Sequence, residues 1–371
     1  MSYSSELISK VVFLWIFSLC MGYAQIIDIP DPNFKHILVN TDCVDSDNNG
    51  IFDRDADLNN DGEIQLSEAQ SVIWHLRVAP NNVASLEGIQ YFTNLKRLSC
   101  VDNLLTEINV ADLQDLERLH VGFNNLVSLD VTQNANLKIL YCYRNNLSSL
   151  DVTQNDQLEE LSAGYNNLSE IDLSMNEGLT LIHLQHNSLT QIDVSQNPNL
   201  DWLRLDYNQL VYINVSQNPN LTSFWCRNNQ LQALRIDNGN NTSLDSFTAI
   251  FNEELYCIQV DDVQYANSRI CNSASNFTWC KDGDADYSEN CFFSTNDFDL
   301  ESISLYPNPS GNFLTISANE QIDLVEIFTV SGKWMLTSAS PNIDVSGLPA
   351  GLYFAIVHLS GNKTTAKFIK N

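Results

Sequence analysis

Leucine returns every 21 residues through the middle of the chain, at Leu95, Leu116, Leu137, Leu158, Leu179, Leu200 and Leu221. A 22-residue unit starting at Ile73 precedes the series, and a 23-residue step leads on to Leu244, giving nine units over residues 73–256. In the unit LERLHVGFNNLVSLDVTQNAN the apolar places are held by Leu116, Leu119, Val121, Leu126, Leu129 and Val131, with Asn124 at the ninth place. The alternation through Leu119 and Val121 has the period of a short strand. One unit cannot enclose its own leucines, so the units must stack, each covering the core of the next. The pattern predicts a solenoid with one coil per unit. Each coil contributes a short strand to a continuous parallel sheet, strands ~4.8 Å apart, and the convex turns are mostly non-helical.

In SFWCRNNQL, residues 223–231, this register sends Phe224 and Cys226 inward and Trp225 and Arg227 outward. Cys100 and Cys142 share the place of Cys226 and read as buried thiols behaving as small hydrophobes, not as metal ligands. The ninth-place asparagines (Asn103, Asn124, Asn145, Asn166, Asn187, Asn208 and Asn229) should form an internal ladder that satisfies backbone groups left unpaired by the turn. The full pattern, L-x-x-L-x-L/C-x-x-N-x-L-x-x-L-D-V-x-x-N, resembles the leucine-rich repeat. Its IDVSQNPNL form is similar to leucine-rich proteins of Bacteroidetes.

The outward places are the third, fifth, seventh and eighth of each coil. They carry Arg77, Arg97, Arg118, Arg144, Arg204 and Arg227 against the acids Asp102, Glu160 and Asp206. Residues 73–255 as a whole hold 9 basic and 21 acidic groups, so the sheet face is mildly basic on an acidic solenoid. The acids fall mostly on outer turns, as at Asp130, Asp151, Asp172 and Asp193. Rings and imidazoles gather on the face, and Arg, Tyr and Trp are the side chains enriched at binding hot spots. The candidate ligand-binding residues are Arg118, His120, Tyr141, Tyr143, Arg144, Tyr165, His183, Trp202, Arg204, Tyr207, Trp225 and Arg227. The expected partner is an extracellular protein or glycan, bound on a basic, aromatic concave face. Rings stack on sugars and arginines pair with carboxylates or sulfates. The bland alternative is a structural cell-surface spacer, with rings that only shield the strands.

Upstream, DLNNDGEIQLSE at residues 57–68 alternates oxygen donors around a glycine. It resembles the EF-hand loop. The resemblance implies Ca2+ held by Asp57, Asn59 and Asp61, by the Glu63 carbonyl, by Gln65 through water, and by Glu68, with Gly62 at the sharp turn. Asp45, Asp47, Asn49 and Asp53 repeat the spacing with Gly50. Ala56 stands where the closing glutamate belongs, so either a second ion, as in thrombospondin type 3-like repeats, or a solvated acidic loop fits there. Asp31 and Pro32 start a short helix over DPNFKHILVN. IPDPNFKHIL with the loop resembles the N-terminal cap of the same Bacteroidetes proteins, residues 25–72, and a cap is needed because the first coil would otherwise expose its core.

After the repeats, residues 257–294 resemble the C-terminal cap of those proteins. Four cysteines there permit three pairings, of which the favoured one is Cys257–Cys291 with Cys271–Cys280. A polar linker, 295–302, follows. The remainder, 303–371, alternates in short strands with Gly and Pro turns and predicts a small all-β, immunoglobulin-like sandwich. YPNP, GLPAGLY and KFIKN resemble the type IX secretion C-terminal sorting domain, which implies the type IX secretion machinery as partner. It further implies removal of the domain on release or surface attachment.

The first 24 residues read as a signal peptide: Lys10, the apolar run VVFLWIFSLC, then Gly22 and Ala24 before Gln25. Ten apolar residues are too few to span a bilayer, which takes about 20. Cys20 offers a lipoprotein alternative, against which Leu19 is too bulky. Export permits disulfides. The formal charge of −28 argues against nucleic-acid binding. No metalloprotease helix, nucleophile elbow or phosphate loop is present, and Glu159–Glu160 and His183 with His186 carry no catalytic signal. The expected product is a non-enzymatic binding protein without a transmembrane segment, secreted or at the outer surface of a Gram-negative bacterium.

Overall fold

The computed structural model describes residues 25–78, 80–271, 278–291, 303–318, 321–329, 333–359 and 362–371. The signal peptide and the linker expected from the sequence lie outside them. The chain divides into two compact units, Met1–Cys291 and Phe292–Asn371.

The first unit opens with helix α1 (Pro32–Asn40). Asp31 caps it, Oδ1 accepting from the Asn33 and Phe34 N–H groups at 2.9 and 3.0 Å. Oδ2 of the same residue accepts from Ala84 and Ser85 N–H at 2.8 and 3.0 Å, tying the helix to the first coil. Strand β1 (Val44–Asp45) then runs antiparallel to β2, the first coil strand (His75–Arg77), and covers that edge of the sheet. Helix α2 (Leu66–Ser71) lies between them in the chain.

One strand per coil follows in parallel: β3 (Arg97–Ser99), β4 (Arg118–His120), β5 (Ile139–Tyr141), β6 (Glu160–Ser162), β7 (Leu181–His183) and β8 (Trp202–Arg204). β10 (Ser223–Trp225) and β12 (Ser246–Thr248) complete the ten-stranded sheet. The central residue of each coil strand is inward and buried, as predicted, and Phe224 and Cys226 are both fully buried. On the opposite side of the last coils lies a second parallel sheet of β9 (Tyr212–Asn214), β11 (Ala233–Arg235), β13 (Cys257–Gln259) and β14 (Asp286–Ser288). The sequence reading expected only turns there. YIN, ALR and CIQ each centre a fully buried apolar residue, Ile213, Leu234 and Ile258, enough for a strand once a neighbouring coil supplies the ladder.

Two asparagine ladders donate to backbone carbonyls inside the solenoid, while the Oδ1 atoms of the second (Asn134, Asn155, Asn176, Asn197 and Asn218) are buried without a hydrogen-bond partner. Asn124 Nδ2 donates to the Cys100 and Val121 carbonyls at 2.9 and 3.1 Å, and its Oδ1 accepts from Leu105 N–H at 3.0 Å. Asn145, Asn166, Asn187, Asn208 and Asn229 repeat the pattern, as the ninth-place reading expected. The second ladder, Asn134, Asn155, Asn176, Asn197 and Asn218, is fully buried and donates to carbonyls of the preceding coil.

Beyond β12 the core is closed by Trp279, which packs on Phe247 and donates from Nε1 to the Leu244 carbonyl at 2.7 Å. Asp282 accepts from Phe251 and Asn252 N–H at 3.0 and 2.7 Å, so it caps the last coil. Disulfides join Cys257 to Cys291 and Cys271 to Cys280, the favoured pairing. Cys43, Cys100, Cys142 and Cys226 are free and buried. Burial pushes the Cys100 and Cys142 thiols up to about 12, which leaves them inert at neutral pH.

The second unit holds two antiparallel sheets around one apolar core. β15 (Ile303–Tyr306), β16 (Phe313–Ala318) and β19 (Asn342–Asp344) form one. β17 (Ile322–Thr329), β18 (Trp334–Ser338), β20 (Gly351–Leu359) and β21 (Asn362–Lys370) form the other. Leu314, Ile316, Val325, Ile327, Val357 and Phe368 fill the space between them.

Candidate functional site: the sheet face and the entry loops

Register places the outward residues of the coil strands in rows across the sheet. In the third-place row Arg97, Arg118, Ile139, Glu160, Leu181 and Trp202 are direct cross-strand neighbours. The fifth-place row passes through His120, Tyr141, Ser162, His183, Arg204 and Trp225. Of the candidate ligand-binding residues, Arg118, His120, Tyr141, His183, Trp202, Arg204 and Trp225 stand in these two rows, and Tyr143, Arg144, Tyr165, Tyr207 and Arg227 follow in the turns after the strands. Trp202 and Tyr207 are the most open of the candidate rings, at 39% and 44% exposure, and Arg118 and Arg144 are exposed.

The eighth place has a backbone signature that the sequence reading did not anticipate. Asp102, Phe123, Arg144, Tyr165, His186, Tyr207, Asn228 and Phe251 all have positive φ, between 52° and 62°. This left-handed conformation turns the chain out of the strand at the same point in eight of the nine coils. It also aligns the side chains in a stack. The Arg144 guanidinium lies 5.0 Å from the Phe123 ring and 4.3 Å from the Tyr165 ring. Tyr165 stacks on His186, and His186 on Tyr207, each pair at 4.1 Å between centroids. Both faces of Tyr165 and of His186 are thus taken by neighbours, and the column shows its edges to solvent.

The seventh place alternates small and large. Tyr143 lies over Gly122, where an added Cβ would come within 3.0 Å of the ring, and Gln185 lies over Gly164 at 2.7 Å. A glycine next to a strand marks such close approaches. Tyr143 also offers its hydroxyl to His120 Nε2 at 3.1 Å, and Tyr141 donates to the Glu160 carboxylate.

The C-terminal part of the face is organised by Asp206, which is fully buried. Arg204 Nε donates to Asp206 Oδ2 at 2.9 Å, and Arg227 Nε and N–H both donate to Oδ1 at 3.0 Å. The two guanidinium carbons lie 5.0 and 5.3 Å from the Trp225 ring, and Trp225 Nε1 donates to Ser246 Oγ at 2.8 Å. Arg204 and Arg227 are accordingly committed to an internal charge. The histidines add no charge at neutral pH either. Burial, then Arg204, hold His183 down at about 4, and burial, then Arg97, do the same to His75. His120 and His186 are lowered, chiefly by burial. The basic character of the face is concentrated at its N-terminal end, around Arg97 and Arg118.

The two entry loops share one local geometry. Asp57 accepts from Gly62 N–H at 2.8 Å and Asp45 from Gly50 N–H at 2.9 Å. Asn48 and Asn60, and Gly50 and Gly62, have positive φ in both. In the second loop Asn59, Asp61 and Gln65 converge, with Asn59 Nδ2 2.7 Å from Gln65 Oε1 and Gln65 Nε2 3.1 Å from Asp61 Oδ2. Glu68 is turned to the backbone, accepting from Leu58 and Gln65 N–H at 2.9 Å each. The Glu63 carboxylate meets Lys35 at 2.6 Å, which leaves its carbonyl as the group a cation would use. In the first loop Asn49 accepts from Ile51 N–H at 2.8 Å, Asp47 from Asn49 N–H at 3.2 Å, and Asp53 is held by Ser46. Among the described residues no group of three or more His, Cys, Asp or Glu side chains forms a metal cluster. The donor set fits a hard cation in part: Asp57, Asn59, Asp61 and Gln65 are gathered, and Glu68 is engaged elsewhere.

Residues 304–371 match the family described as Secretion system C-terminal sorting domain. No curated protein matches the chain. Among solved structures, an internalin (inlF) from Listeria monocytogenes is 24% identical, with a TM-score of 0.54 over 71% of this chain and 72% of that one. Internalin C2 of the same organism is 18% identical, with a TM-score of 0.46 over 64% and 98%. YopM, a leucine-rich effector protein from Yersinia pestis, is 21% identical, with a TM-score of 0.40 over 51% and 56%. The first unit has a solenoid fold like that of the internalin, and the sorting domain at residues 304–371 marks a secreted or surface-attached protein of Bacteroidetes. Among the described residues no helix is long and apolar enough to cross a membrane.

Proposed function

We propose that the solenoid is a binding module that recognises an extracellular protein or glycan through its sheet face. The observation that carries this reading is the collection of Arg118, Trp202 and Tyr207 on a single face of an otherwise acidic solenoid. Arginines and rings gathered on one surface are the side chains enriched at binding hot spots. The spacer reading draws on the stacked column, where rings serve one another. It leaves Trp202 and Arg118 without a role.

The entry cap is, in this account, stabilised by Ca2+. Asp57, Asn59, Asp61 and Gln65 with the Glu63 carbonyl would hold it, Glu68 leaving its backbone partners to close the site, and Asp45, Asp47, Asn49 and Asp53 would supply a second position. The cation would neutralise a crowded acidic segment. Residues 303–371 serve as the address read by the secretion machinery, and residues 25–294 are the working module.

A glycan and protein array probed with the full chain, and with a Trp202→Ala/Tyr207→Ala variant, tests the binding reading. Ligands bound by the wild type and lost by the folded variant support it. Ligands held equally by both would move the site off this face, and a folded chain that binds nothing would leave the spacer.

A further inference from the structure

Arg97 and Arg118 are direct partners across β3 and β4, one strand spacing apart. Arg118 is exposed and Arg97 half-buried. Neither makes an ion pair among the described residues. Arg77 lies beside them, its guanidinium held 3.8 Å over the Phe52 ring. The nearby acids are engaged. Glu117 is paired with Lys96 at 3.0 Å, and buried Asp45 accepts from the Asn49 and Gly50 N–H groups at 3.2 and 2.9 Å. His75, the cross-strand neighbour of Arg97, is held down first by burial and then by Arg97, with Asp45 opposing and Arg118 and Arg77 adding to it. Like charges directly opposite on neighbouring strands are unfavourable unless something binds between them. The contrast with Arg204 and Arg227 is direct, since buried Asp206 supplies their counter-charge. In a chain of charge −28 an uncompensated arginine pair is an anomaly.

From His75 the row passes through this pair and continues over Ile139, Glu160, Leu181 and Trp202. From the pair onward its chemistry changes at nearly every strand: basic, basic, apolar, acidic, apolar, aromatic. A ligand of repeating units would meet a different neighbour at each step, whereas a polypeptide can vary with it. Sugar stacking is also poorly served, because the faces of Tyr165, His186 and Trp225 are covered by side chains of this chain.

We propose that Arg97 and Arg118 are a carboxylate anchor for an acidic segment of a partner protein, which then crosses the sheet over Ile139, Leu181 and Trp202. The proposal rests on the reading of the sheet face as a binding surface and names the partner for it. Two guanidinium groups one strand apart can each take a carboxylate in a bidentate pair.

The probe is a capped tetraglutamate peptide, titrated into the full chain by calorimetry at low and physiological salt. A tetraserine peptide and a sulfated hexasaccharide serve as comparisons. The wild type should bind tetraglutamate and not tetraserine. The Arg97→Gln/Arg118→Gln variant, with unchanged circular dichroism, should bind at least tenfold more weakly. Equal binding by the variant, no binding by the folded wild type, or tighter binding of the hexasaccharide would each overturn the proposal. The first and third outcomes leave the broader face reading standing, since that reading is judged by the Trp202/Tyr207 variant on array ligands.

Discussion

Asp206 shows how a single side chain decides what its neighbours are free to do. It sits at an outward place yet is fully buried, because Arg204 and Arg227 close over it. Removing one partner of such a pair leaves an uncompensated charge. Asp206→Ala should therefore lower unfolding free energy by about 3 kcal/mol, read from chemical denaturation. A loss below about 0.5 kcal/mol would reduce the cluster to a surface ion pair. Binding on this face is better probed at Trp202 and Tyr207 than at the two arginines, whose loss would disturb Asp206. Two buried histidines contribute to the pH response. His75 and His183 fall from 6.5 to about 4 in the fold, mainly through burial. As pH drops, the unfolded chain takes up these protons first, so stability present at neutral pH is lost progressively between about 6.5 and about 4. A His75→Gln/His183→Gln variant should show a flatter melting profile across that window, and an unaltered slope would assign the acid response to other groups. The inward or outward direction of each residue was legible from the leucine register alone. The burial of Asp206 was not, because it depends on an arginine 21 positions later.

At the scale of the element, the coil is defined as much by its eighth residue as by its leucines. Eight residues there adopt the left-handed conformation, and none is β-branched. Arg144→Val should cost about 1–2 kcal/mol in backbone strain, beyond the loss of its contacts with Phe123 and Tyr165. Arg144→Gly, which keeps the backbone and loses the same contacts, separates the two effects; equal costs would show that strain contributes nothing. The sequence hid this column because Phe, Arg, Tyr, His and Asn share no type, only a conformation. Both asparagine ladders, by contrast, follow from asparagines that the repeat fixes, although only the ninth-place ladder was anticipated. The entry loops were legible as alternating oxygen donors around glycines, and the shared turn geometry of residues 45–50 and 57–62 is consistent with that spacing. Calcium at 100-fold over its Kd would add about 2.7 kcal/mol. Chelation should lower the melting temperature of the full chain and leave that of an Asp57→Asn/Glu68→Gln variant unchanged. No chelation effect on the wild type would remove the ion from the account.

Across the whole molecule, the repeat count and the two ends could be read early because a solenoid is a one-dimensional problem, in which each coil answers only to its neighbours. The second sheet of β9, β11, β13 and β14 escaped that reading because its strands are only three residues long and form where the closing cap adds a ladder. The sorting domain carries its own core and a distinct job, so the binding claim belongs to the solenoid. Its most direct test is the affinity of one array ligand for three full-length proteins: the wild type, Trp202→Ala/Tyr207→Ala on the sheet face, and Asp151→Asn/Asp172→Asn on the outer turns. A loss of tenfold or more for the first pair alone, with all three melting alike, is the predicted result. Equal affinities, or a loss confined to the outer-turn pair, would contradict it.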